Sequence, residues 1–155
     1  MVHNKVKRCS LRIAAFVLCL MCIFLSLVSC SGDKIIKYYS NKNNFVQVTG
    51  VVTYIAYTDK ESSIKENAVY IGLEEAPEGF SDTCFKIIGK NYDIVIQNGI
   101  KELLQYGTEV TIISAPEYWG DGYVMPIAAI IIGDTVLLDF ETGHAYLMEW
   151  LEDYY

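Results

Sequence analysis

The distribution of apolar and polar residues predicts that the second part of this chain is rich in β-strands. From Phe45 to Tyr57 the residues alternate between an apolar and a polar face, which predicts a first strand. Gly50 lies in the middle of this strand and predicts a bulge or a tight bend there. Ala68–Leu73 and Thr83–Ile88 are the next predicted strands. The apolar face of the first strand comprises Val46, Val48, Val52, Tyr54 and Ala56.

The period then changes from that of a strand to that of a helix. Apolar positions between Tyr92 and Tyr106 follow helical spacing, although residues 93–96 also fit a strand. We expect a helix at least over Gly99–Gln105, ended by Gly107. The strands predicted after it are Thr108–Ala115, Tyr123–Ile132 and Val136–Phe140.

Two local signals complete the predicted element order. Gly133-Asp134 is a two-residue hairpin signal between the last two strands. Thr142 is a suitable N-cap for a C-terminal helix. The apolar stripe of that helix comprises Leu147, Trp150, Leu151 and Tyr154.

This order of elements resembles the OB-fold, a small Greek-key barrel, over Phe45–Phe140. The resemblance is one of pattern: three strands, a helix, then two or three strands. It implies a mainly β fold, a barrel of five to six antiparallel strands with one helix between strands and a C-terminal helix. The alternative is an α+β fold, in which an open antiparallel sheet carries the helices on one face.

The N-terminus has a different pattern, basic and then apolar. Lys5, Lys7, Arg8 and Arg12 precede an uncharged run that ends in Leu27-Val28-Ser29-Cys30. This layout is that of an export signal. Its last four residues resemble the lipobox of bacterial lipoproteins.

The resemblance implies that signal peptidase II removes residues 1–29 and that Cys30 carries a diacylglyceryl group, with palmitate as a typical acyl chain. Two chains suffice for stable anchoring. The alternative is an uncleaved signal anchor, because the uncharged stretch from Ile13 to Gly32 is just long enough to span the roughly 30 Å bilayer core. Both alternatives place the remaining chain on the extracytoplasmic face of the cell membrane.

Residues 30–44 are then expected to be the lipidated cysteine and a flexible tether, and residues 45–155 a single globular domain. From Cys30 onward the chain has eight lysines, no arginine and nineteen acidic residues, a formal charge of −11. Such a charge disfavours nucleic acid, whose binding depends on Lys and Arg. Cys84 is the only other cysteine in this part, so no internal disulfide is expected.

The densest aromatic segment is Pro116–Tyr123, which is a candidate binding loop through Tyr118, Trp119, Asp121 and Tyr123. Exposed Tyr and Trp are typical anchors for a carbohydrate or an envelope protein. The same residues also fit a packed hairpin with cross-strand aromatic pairs. The sequence favours the packed hairpin, and the two interpretations are compatible.

Other chemistry is less well supported by the sequence. Asp121, Asp134, Asp139 and Glu141 are of the type that binds calcium, but they lack the spacing of a calcium loop. We therefore expect no metal and no cofactor. The leading function is non-catalytic binding or scaffolding, and a structural subunit of an envelope complex is one alternative.

An envelope-associated hydrolase is the other alternative. It requires that Cys84 and His144 meet as nucleophile and base. Cys84 lies in an apolar strand, where an inert thiol is the usual case. His144 is expected at the terminal helix, either exposed or bonded to a backbone group.

Overall fold

The computed structural model describes residues 32–62, 65–116 and 124–155. The chain separates into two compact units. One comprises residues 1–35 with Tyr155, and only residues 32–35 and Tyr155 of it are described. The other, Ile36–Tyr154, contains all the strands and helices named below.

From Val46 onward, the described residues of this unit form six strands and three α-helices. The strands are β1 (Val46–Thr58), β2 (Ala68–Leu73), β3 (Cys84–Ile88), β4 (Glu109–Ser114), β5 (Met125–Ile132) and β6 (Thr135–Leu138). The helices are α1 (Lys90–Gln97), α2 (Ile100–Leu103) and α3 (Phe140–Tyr154).

Five strands form a closed ring in the order β3-β2-β1-β4-β5. Neighbouring strands are antiparallel, except that β3 and β5 pair in parallel through Phe85 and Met125 and so close the ring. β6 pairs with β5 outside this ring. The predicted mainly β fold is thus confirmed, and the closed ring of hydrogen bonds is consistent with an OB-like barrel, although the β3–β5 pairing is parallel and not antiparallel as predicted.

β1 takes part in two pairings because it bends midway. Its first half, through Val51, pairs with β4, and its second half pairs with β2. A Cβ on Gly50 would lie 2.9 Å from Leu73 Cδ1, so a larger residue at this position would require the end of the Leu73 side chain to shift. Gly50 itself pairs in register with Val110, and the register with β2 shifts between Val52 and Tyr54, so the bulge lies just after the predicted position.

After the bulge, the side chains of β1 lie on the faces opposite to those predicted. Tyr54 was expected on the inner face, but it is 50% exposed, and Ile55 packs against the core instead. An extra residue in a strand moves every later side chain to the other face, which a strict alternation cannot show. Val46, also expected inside, is exposed on the first half of β1.

The segment between β3 and β4 contains two helices rather than one. α1 begins at Lys90 and packs against β3, β6 and α3. Gly99 has a φ of 82°, which ends α1 and starts the short helix α2. α2 lies within the predicted helix at Gly99–Gln105 and confirms it in part, and α1 covers the helical spacing that begins at Tyr92; the sequence did not show that Gly99 divides the two.

α3 begins earlier than predicted, at Phe140. The carboxylate of Asp139, not the Thr142 side chain, caps it by accepting the Thr142 N–H at 3.0 Å. Of the predicted stripe, Leu147 and Leu151 are buried. The other two members, Trp150 and Tyr154, stack on each other with ring centroids 4.9 Å apart, and Tyr154 is exposed.

Residues 36–44, which the sequence assigned to the tether, pack on the domain. Residues 36–40 are helical, and Lys42–Asn44 form a 3-10 turn. Tyr39 is buried, and its ring contacts Phe45 with centroids 6.0 Å apart. This burial of an aromatic side chain moves the boundary of the domain towards the N-terminus.

Candidate functional site

An open groove of about 470 Å³ lies along the second half of β1. We call it the tyrosine groove. Tyr106 is 70% exposed and Tyr57 is 37% exposed, so solvent reaches both rings. Leu104 is buried in the core beneath them. The lining residues are Ile55, Tyr57, Leu104, Gln105 and Tyr106.

The backbone fixes one wall of this groove at the bend of β1. The Gly107 N–H donates to the Val52 carbonyl at 2.8 Å, and the Val52 N–H donates to the Thr108 carbonyl at 2.9 Å. Gly107 has a φ of 82°, which allows the turn. The Gln105 N–H donates to Thr108 Oγ1 at 3.1 Å. Tyr106 is therefore presented by a turn that is hydrogen-bonded to the barrel.

Polar side chains surround the Tyr57 ring. The ammonium group of Lys101 lies 5.5 Å from the ring centroid, within the range of a cation–π contact. Burial, then the charge of Glu102, and then Tyr92 raise the pKa of the Tyr57 phenol above its ordinary value of 10.0. The phenol is neutral at physiological pH and can both donate and accept hydrogen bonds.

A second cavity of about 340 Å³ lies elsewhere in the same unit. We call it the lysine cavity because three of its lining residues are lysines. The lining residues are Lys60, Lys65, Glu66, Asn67, Gly89, Lys90, Asp93 and Trp150.

The candidate residues that the sequence selected for binding and lipidation are not described. Cys30 lies outside the described residues. So do Tyr118, Trp119, Asp121 and Tyr123, which belong to the connection between β4 and β5.

The predicted nucleophile and base do not form a pair. No hydrogen bond joins Cys84 to His144 among the residues the structure describes. His144 is 7% exposed, and its Nε2 lies 2.8 Å from the carbonyl oxygen of Tyr39, to which it donates. This confirms that His144 is bonded to a backbone group. Burial and Asp82 raise the pKa of the Cys84 thiol, which opposes formation of a thiolate nucleophile.

The carboxylates considered for calcium have separate roles. Asp139 caps α3, and Glu141 forms an ion pair with Lys42. Asp134 lies in the hairpin turn, and Asp121 falls in the segment that is not described. Within the described ranges, no three His, Cys, Asp or Glu side chains are grouped to hold a metal ion.

The sequence reasoning did not select the residues of the tyrosine groove. Tyr57 was assigned only to the end of a strand, and Tyr106 only to the end of a helix. The available signal was an aromatic residue directly before Gly107, the glycine that was predicted to end a helix. Aromatic residues at such turns are exposed by the backbone rather than buried by a periodic face.

No protein-family model matches this chain, and no curated protein matches it. In the part of the chain that the structure describes, no helix is both long enough and apolar enough to cross a membrane.

Proposed function

We propose that this protein is a membrane-anchored extracytoplasmic lipoprotein whose barrel is a non-catalytic binding domain. The proposed anchor is Cys30, because a basic segment and then an apolar segment precede it, as in an export signal. The observation that carries the binding proposal is the tyrosine groove, in which Tyr57 and Tyr106 are both accessible and the turn at Tyr106 is hydrogen-bonded to β1.

The ligand class that suits this groove is an uncharged carbohydrate chain. Aromatic rings provide flat apolar surface with a polar hydroxyl at the edge. The Gln105 side chain adds amide hydrogen-bonding groups beside the rings. The charge of −11 opposes polyanions such as nucleic acid. The open form of the groove suits a chain that passes through it.

The aromatic connection between β4 and β5 supports the same proposal. In OB-fold barrels, the β1–β2 and β4–β5 loops bind oligosaccharides and oligonucleotides. Here the β4–β5 connection contains Tyr118, Trp119, Asp121 and Tyr123.

The binding proposal is tested by co-sedimentation of the detergent-solubilised full-length protein with insoluble envelope polysaccharide. We expect Tyr106→Ala and Tyr57→Ala each to weaken binding about tenfold, which corresponds to about 1.4 kcal/mol. Tyr54→Ala is the matched control. Tyr54 lies on the same strand and is 50% exposed, but it does not line the groove.

Two outcomes would contradict this proposal. Equal binding by Tyr106→Ala and the parent protein would exclude the groove. If the parent protein does not bind polysaccharide but binds an envelope protein through Tyr57 and Tyr106, the ligand of the groove is a protein and not a carbohydrate. That result would support the alternative of a structural subunit.

The anchor is tested separately by intact mass and detergent partition of the expressed full-length protein. We expect a mature mass that begins at Cys30 and includes a diacylglyceryl group. In the Cys30→Ser variant we expect loss of processing or release from the membrane. A parent protein that keeps residues 1–29 and stays in the membrane would indicate a signal anchor instead.

A further inference from the structure

We propose that the lysine cavity binds a small organic anion, namely a single sugar-sized ring that bears a carboxylate or a phosphate. This site is separate from the tyrosine groove and does not depend on it. Three of the eight lysines that follow Cys30, Lys60, Lys65 and Lys90, line this one cavity. On a chain with nineteen acidic residues, such a concentration of positive charge is unusual.

Two ion pairs account for part of the charge around the cavity. Lys90 Nζ lies 2.6 Å from Glu149 Oε1, and Lys86 Nζ lies 2.6 Å from Glu66 Oε2. Lys60, Lys65 and Asp93 have no salt bridge within the described ranges. The lining groups therefore leave two ammonium groups against one carboxylate, which favours an anion.

The backbone adds to this positive potential. α1 begins at Lys90, on the edge of the cavity, and no side chain caps its N-terminus. Gly89 takes a φ of 58° there. The first N–H groups of a helix and its dipole favour a negative charge at this end. Asp93, in the first turn, now supplies that charge in part.

The size and the wall of the cavity limit the ligand. A cavity of about 340 Å³ has room for a single sugar-sized ring. Trp150 forms an apolar part of the wall, and its ring is stacked on Tyr154. A Cβ on Gly89 would lie 3.0 Å from Trp150 Cδ1, so the two residues are closely packed. The anion should therefore carry a ring with an apolar face.

Isothermal titration calorimetry on the detergent-solubilised full-length protein tests this proposal. The probes are glucuronate, glucose 6-phosphate and, as the uncharged control, glucose. We expect the two anions to bind, glucose to bind at least tenfold more weakly, and added salt to weaken the anions. The stronger of the two anions distinguishes a carboxylate site from a phosphate site.

The variants change the affinity in opposite directions. We expect the double variant Lys60→Gln with Lys65→Gln to weaken anion binding at least tenfold. Asp93→Asn should strengthen it several-fold, because that variant removes the unpaired carboxylate. Lys37→Gln, at an exposed lysine outside the cavity, is the matched control and should leave the affinity unchanged.

Each contrary result overturns the proposal. Equal binding of glucose and glucuronate would show that charge is not recognised. No heat from either anion at millimolar concentration would exclude the site. An Asp93→Asn variant that folds but binds no tighter would show that the anion does not lie beside this carboxylate. A Lys37→Gln variant as weak as the double variant would assign the effect to general electrostatics. Because Asp93→Asn is a gain of binding, misfolding cannot imitate it.

Discussion

The close contact between α3 and β5 predicts that a Gly→Ala substitution within α3 destabilises the protein, although alanine favours helix formation. Gly143 lies inside α3, and a Cβ at this position would be 1.9 Å from the carbonyl oxygen of Ala128 on β5. It would also be 3.0 Å from Leu138 Cδ2. No flexible side chain end can give way to relieve the first contact, because Ala128 contributes backbone. Gly143→Ala must therefore move the helix away from the barrel.

The magnitude follows from three effects. Replacing a helical glycine by alanine stabilises an exposed helix by about 1 kcal/mol. Overpacking costs about 1–3 kcal/mol. The buried Asn91 amide donates to the Gly143 carbonyl at 2.8 Å, and losing this bond as the helix moves costs about 1–3 kcal/mol more. Together these effects are expected to lower the free energy of unfolding of Gly143→Ala by about 1–5 kcal/mol.

Urea unfolding of the unit Ile36–Tyr154, followed by circular dichroism, measures this change. Ala145→Gly is the matched control, because Ala145 is exposed in the same helix. It should cost only about 1 kcal/mol, the difference in propensity. A Gly143→Ala variant as stable as the parent or more stable would refute the close approach of α3 to β5.

Three further predictions concern single side chains. Asp139→Ala should lower the free energy of unfolding by about 1 kcal/mol and Asp139→Asn by less, since asparagine also caps. The hydrogen bonds of the cap lower the pKa of Asp139 in the folded protein. Its stabilisation of the fold should therefore be full above the pKa of the unfolded chain, near 3.9, and should be lost as the pH falls through the folded-state pKa. Equal acid unfolding of the parent and Asp139→Ala would contradict this. His144→Ala should speed tryptic cleavage within residues 36–44, since the Tyr39 carbonyl loses its donor, and an unchanged rate would show that this segment is held elsewhere. Because the pKa of Tyr57 is raised in the folded protein, we expect the free energy of unfolding to fall as the pH rises above 10.0, the ordinary pKa of tyrosine. Tyr57→Phe should remove part of this fall, which alkaline unfolding measures.

Alternation and turn residues were enough to predict most of the strands. β2 matches its prediction at Ala68–Leu73, and the hairpin turn at Gly133-Asp134 joins β5 to β6 as expected. Gly50 marked the bend of β1 correctly. These features could be predicted because each depends on neighbours along the chain. The division of the helical segment into α1 and α2 was not predicted, because the positive φ of Gly99 interrupts a continuous apolar pattern.

The sites depended on contacts between distant segments. The tyrosine groove exists because the turn at Gly107 bonds to Val52, more than fifty residues earlier in the chain. The lysine cavity joins the loop after β1 with the start of α1 and the end of α3.

By itself, the sequence determined a mainly β domain of OB-like order, a surface of strong negative charge and the resemblance of Cys30 to a lipidation site. These follow from periodicity, composition and a short motif. The tertiary structure alone decided that β3 and β5 close the ring, that His144 is buried on Tyr39 and that three lysines share one cavity. The physical reason is that ring closure and burial depend on distances between segments, and local patterns of residues carry no measure of those distances.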